Sequence, residues 1–191
     1  MAPPRFVLIH SPLLGPLAWR SVAAELQRRG HAAEAPAWPR LSAIADGFYG
    51  ALADGLAAQL DGAVYPLILV AHSGAGALVP ALAARLPVAV AGVSFADAIL
   101  PHPARSWFDT APREMGMQLR AGAQMGELPS WDQWWPPGAL ERLVPDAALR
   151  EALLAELEPL PLAYFEEAAP PDVFAGPAAY VQMSGAYGDD G

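Results

Sequence analysis

The chain has 191 residues, of which 54% are hydrophobic and 16% charged, with a net charge of −9 and no cysteine. That length suits one domain with a substantial core, and so apolar a composition excludes a disordered chain. The acidic balance argues against nucleic acid or an anionic membrane as partner, and the missing cysteines exclude disulfides, thiol nucleophiles and cysteine-held metals, which fits a cytoplasmic protein.

Residues 5–10 (RFVLIH) read as a first strand, and the apolar run at this N-terminus is too short for a secretion signal. No apolar run in the chain is long enough to span a membrane. A loop follows, then an amphipathic helix over 17–29 with Trp19, Val22, Ala23 and Leu26 on one face, stopped by Gly30. Residues 31–35 form a weak second strand. Ser42 is placed to cap a helix running to about residue 60, with Ile44, Phe48, Leu52, Leu56 and Leu60 spaced by fours.

Residues 67–70 (LILV) suit a strand buried on both faces. They run directly into Ala71-His72-Ser73-Gly74-Ala75, and residues 77–84 read as a buried helix. A strand that turns sharply into a helix, with serine at the turn and small residues two places either side, meets the steric requirement of a nucleophile elbow. The pattern is Ala-x-Ser-x-Ala in place of G-x-S-x-G. A bulky side chain at 71 or 75 would clash with neighbouring elements. The start of the helix also offers N–H groups to a developing oxyanion. The plainer alternative is Ser73 as a simple helix cap.

Residues 88–95 form another apolar strand leading to Asp97, just past the strand end where sheet enzymes place functional groups. The alternation of strand and helix implies a mostly parallel sheet with helices on both faces. It breaks after Leu100. Residues 101–171 carry helical pieces at 112–124, 138–143 and 146–157 and no convincing strand. Aromatic clusters occur at Trp107-Phe108, Trp131, Trp134-Trp135 and Tyr164-Phe165. This stretch reads as a helical cap inserted after the fourth strand, with 1–100 and 172–191 as the core. Its aromatics and methionines are mostly cap core, with a few lining an apolar pocket. A last strand is expected at 178–183.

Together, Phe6–His10 with Trp19, Gly30-His31, Val70-Ala71-His72-Ser73-Gly74 and Phe95-Ala96-Asp97 before a cap resemble the α/β-hydrolase superfamily in its small bacterial branch. The resemblance implies that Ser73 is the nucleophile and that Gly74 gives its backbone N–H to the oxyanion. The second donor belongs to the loop after the first strand, which here reads His10-Ser11-Pro12. Proline has no N–H, so the Leu13 N–H or the Ser11 hydroxyl takes that role. The family order is serine, acid, histidine. The acid is then Asp97, or alternatively Asp189 or Asp190. None of the four histidines follows residue 183. His72 reads as a packing residue, His10 as support for the oxyanion loop and His102 as part of the cap base.

The family's last strand and helix also have no counterpart. The expectation is therefore a C-terminally truncated chain, inactive for want of the triad histidine, whose exposed sheet edge invites self-association. The implied activity is hydrolysis of an ester, thioester or related acyl compound with an apolar small-molecule substrate. The rivals are a non-hydrolytic, lyase-like enzyme of the same fold and a non-catalytic ligand-binding pseudo-enzyme. No cofactor and no metal are expected, since no glycine pattern cradles phosphate and no His/Asp/Glu cluster has metal spacing.

Overall fold

A computed structural model describes residues 3–183. In chain order its strands are β1 (Arg5–Ile9), β2 (Ala33–Glu34), β3 (Leu67–Ser73), β4 (Val90–Ala98), β5 (Glu127–Leu128), β6 (Leu160–Pro161) and β7 (Ala178–Val181). Five of them form a parallel sheet in the order β2-β1-β3-β4-β7. The helices are α1 (Arg20–Arg28), α2 (Phe48–Gln59), α3 (Val79–Ala83), α4 (Trp107–Thr110), α5 (Arg113–Gly122), α6 (Ala139–Leu143), α7 (Ala147–Leu154) and α8 (Leu162–Glu166).

The central strand obeys the alternation of a pleated strand. Leu67, Leu69 and Ala71 are fully buried against the larger core, which also holds Leu52 and Leu56 of α2 and Leu82 of α3. Val70 faces the other way, into a smaller cluster with Leu8, Trp19 and Ala96 beneath Ala23 and Leu26 of α1. Helices therefore cover both faces, as an all-parallel sheet requires. Val22 does not join the α1 packing face and is 43% exposed. Among the described residues no helix is long and apolar enough to cross a membrane.

Three differences from the sequence reading have physical causes. The helix expected from Ser42 begins six residues later, at Phe48, because Gly47 stands before it at φ 65. The Ser42 hydroxyl caps nothing; it donates to Glu158 Oε2 at 2.6 Å. The helical turn expected directly after Ser73 is a 3-10 turn over Gly74–Leu78 before α3 begins. The stretch read as free of strands contains β5 and β6, an antiparallel pair of two residues each. Two residues show no periodicity, so no pattern could have announced them.

The connection between β4 and β7 is fastened to the sheet portion by three glutamates. Glu156 Oε2 accepts the Leu17 N–H at 3.0 Å, and Glu158 Oε1 accepts the Leu41 N–H at 2.8 Å. Glu167 accepts the Phe48 and Tyr49 N–H groups at 2.8 and 3.0 Å. Each receives donors from the first turn of a helix that lacks a capping side chain of its own.

Candidate active site

β3 ends on Ser73, whose backbone sits at φ 54, ψ −130. A non-glycine residue in that region stores strain of order 1–3 kcal/mol and persists only where the surroundings impose it. Here the Ser73 carbonyl accepts the Ile99 N–H at 3.0 Å, which ties the turn to the end of β4. His72 pairs with Ala96 and Ser73 with Ala98, so Asp97 is the extra residue of a β-bulge, at φ 41.

Ser73 and Gly74 open into a cavity of about 790 Å³ with mainly apolar walls. Pro12 and Leu13 line it from the loop after β1, and Tyr49 from α2. Trp107, Met115, Leu119, Trp134, Tyr164 and Phe165 line it from the β4–β7 connection, with Thr110 and Gln118 as polar members. Phe108, Trp131 and Trp135 of that connection have aromatic neighbours. Phe108 lies under the Arg120 guanidinium at 3.7 Å, and Trp131 meets Trp135 edge to face.

The loop after β1 is built around Ser11, which is 1% exposed. Its Oγ accepts the Leu13 N–H at 3.1 Å, and its carbonyl accepts the Leu14 N–H at 3.1 Å. Pro12 lies over Gly74, so close that a Cβ on Gly74 would stand 2.9 Å from Pro12 Cγ.

Asp97 is 6% exposed, and its Oδ1 accepts the Met183 N–H at 2.7 Å. It does not line the cavity that holds Ser73. Asp189 and Asp190 lie outside the described residues.

None of the four histidines lines that cavity. His31 meets Phe6 edge to face, and His72 meets Trp19 in the same way at 6.0 Å. Burial lowers the pKa of His72, and the nearby Asp97 charge partly offsets this. His102 is buried with Nδ1 2.9 Å from the Arg105 carbonyl, and its Nε2 has no partner among the described residues. His10 is held neutral by geometry: Nδ1 donates to the Ser11 carbonyl at 2.8 Å while Nε2 accepts the Trp38 N–H at 3.2 Å.

Burial drops the His10 pKa to about 4. The unfolded chain takes up this proton near pH 6.5 and the folded chain only near 4, so the stabilisation is complete above 6.5 and is lost as pH falls towards 4. The loss from this residue is about 3 kcal/mol. Thermal unfolding of the protein and of His10→Asn across pH 4–8 should show a flatter acid limb in the variant. Parallel limbs would mean that His10 does not carry the effect.

No protein-family model and no curated protein matches this sequence. Solved structures do match. An extracellular α/β-hydrolase from Paenibacillus, described as sharing structural and functional homology with tobacco salicylic acid binding protein 2, superposes with a TM-score of 0.70 at 21% identity, covering 95% of this chain and 78% of that one. A pyrethroid hydrolase from Sphingobium faniae gives 0.66 at 20%, covering 94% and 88%. Tomato methylketone synthase I, bound to β-ketoheptanoate, gives 0.63 at 17%, covering 94% and 78%.

The chain has the α/β-hydrolase fold.

Within that fold, β3 is the strand that carries the sharp turn, and the β4–β7 connection lies over the C-terminal ends of β3 and β4, where open parallel sheets form their crevices. Tyr49, Thr110, Gln118 and Leu119 line the cavity without having stood out in the sequence. Tyr164 was grouped with the connection's aromatics, and Tyr49 shares its helix with a regular apolar stripe that gave no reason to notice it. Among the described residues no three His, Asp or Glu side chains gather into a metal site.

Proposed function

We propose that this protein is a serine acyl-transferring hydrolase, with Ser73 as nucleophile, acting on an ester or thioester with a bulky apolar group. The observation that carries this reading is Ser73 itself: a serine held at φ 54 on a strand-to-turn junction, facing an apolar cavity of about 790 Å³. Strain of this kind on a polar side chain has no use in a plain cap, but it presents a nucleophile clear of the sheet. The volume lies within the range of small-molecule sites, and the mix of apolar wall and few polar groups fits an apolar substrate.

In this reading Ser73 Oγ bonds to the acyl carbon, and the departing alkoxide or thiolate takes the electron pair of the broken bond. The Ser73 proton must pass to a base, and no histidine of this chain faces the cavity. Asp97, buried on the bulge beside Ser73, is the acid we assign to orient such a base. Water then releases the acyl group.

The test follows from the missing base. An alkyl fluorophosphonate should label the chain at Ser73 slowly, and added imidazole should accelerate it by 10-fold or more, since general-base assistance contributes roughly 10²–10⁴-fold when positioned. Peptide mapping identifies the site. Labelling elsewhere, or none at any imidazole concentration, would refute the assignment. Pro12 in the loop after β1, which has no N–H to offer an oxyanion, favours the second reading, a lyase-like or purely ligand-binding protein on this fold. That reading is supported if an apolar ester binds in the cavity and is never turned over.

A further inference from the structure

An acyl-transfer site needs donors aimed at the oxygen that becomes negative, and usually two are built from backbone N–H groups. In this chain the loop after β1 has no backbone N–H to spare, and the Ser11 hydroxyl, the other candidate, does not line the cavity. Pro12 lacks an N–H, while the Leu13 and Leu14 N–H groups are both consumed by Ser11. On the same side of Gly74 as Pro12 stands a different donor. The Tyr164 hydroxyl lies 3.9 Å from the position a Cβ on Gly74 would occupy, next to the Pro12 ring.

We propose that Tyr164, from α8, supplies the second oxyanion hydrogen bond in place of the loop backbone. The inference rests on the reading of Ser73 as nucleophile. Three features suit the role. Tyr164 lines the same cavity as Ser73 and Gly74, and its hydroxyl has no hydrogen-bond partner among the described residues, so it is not committed elsewhere. Its ring is clamped from three sides, stacked on Tyr49 at 6.0 Å and edge to face with Phe48 and Phe165 at 5.9 and 5.2 Å. A donor fixed in advance costs no reorganisation when charge develops. Its pKa is raised well above the ordinary value, first by burial and then by Tyr49 and the Glu167 carboxylate, so the phenol stays a donor through the neutral range.

The test is the rate of phosphonylation. Ser73 Oγ bonds to phosphorus, fluoride leaves with the electron pair of the broken bond, and the serine proton passes to added imidazole. The phosphoryl oxygen then takes the place of the acyl oxygen. Tyr164→Phe keeps the ring and removes the hydroxyl alone. It should slow the covalent step by about 100-fold, the usual effect of losing one such donor. The non-covalent affinity for the probe and the melting temperature should stay unchanged.

A covalent rate equal to that of the unsubstituted protein would overturn the inference, as would a loss confined to probe affinity. Failure of the unsubstituted protein to label at Ser73 would be a different result: it would remove the nucleophile assignment and this inference with it.

Discussion

Ser73→Ala is expected to reduce fluorophosphonate labelling to background, with and without imidazole. Thr110, the other aliphatic hydroxyl among the described cavity residues, is engaged as a donor to the Trp107 carbonyl at 2.8 Å. Tyr49 and Tyr164 both line the wall, but burial raises both phenols well above their ordinary pKa, which keeps the reactive phenolate scarce. Ser11 is 1% exposed and its oxygen is occupied by the Leu13 N–H. Alanine keeps the Cβ, and with it the backbone strain at φ 54, and opens no cavity, so the variant should fold as well as its parent. Labelling that persists at more than a few per cent of the parental rate would place the nucleophile elsewhere.

Gly76→Ala is expected to be strongly destabilising. A Cβ there would fall inside the van der Waals envelope of the Ile99 carbonyl oxygen and 3.2 Å from Ala98 Cβ. Both neighbours belong to the end of β4, which the Ile99 N–H to Ser73 carbonyl bond holds in place. Neither can retreat as a flexible side chain could. Overpacking of this kind costs about 1–3 kcal/mol when side chains can adjust and more when backbone must move. A loss on the order of 4 kcal/mol takes much of the stability of an ordinary domain. Urea unfolding should therefore show a large fall in midpoint or an unfolded variant. A change of less than about 1 kcal/mol would mean that the turn after Ser73 yields more easily than its packing suggests.

Gly76 also marks a limit of the sequence reading. The motif is defined by the small residues two places from Ser73, Ala71 and Ala75. Both are fully buried. The tightest approach is one residue further on, since β4 crosses over the turn there, and a motif read along one strand carries no information about the neighbouring strand.

The parallel sheet, the order of its elements and the turn at Ser73 were legible in the residues themselves. Runs such as Leu67–Val70, apolar on every residue, are stable only between two layers, and a serine between such a strand and an alanine-rich helix leaves few local structures open. Burial and backbone geometry are local consequences of local sequence, so they can be read from it. What the chain does at long range could not be read this way. Glu167 reaches back 119 residues to accept the Phe48 N–H, and together with Gly47 it fixes where α2 begins. Ser42, which looked like the cap, is drawn instead to Glu158. Asp97 is set on a bulge by its register with β3, and the Tyr164 hydroxyl reaches Gly74 only because α8 packs against α2. A glutamate or a tyrosine in a sequence states what it can donate or accept. Only the tertiary structure, by bringing distant segments within hydrogen-bonding reach, decided which group each one meets.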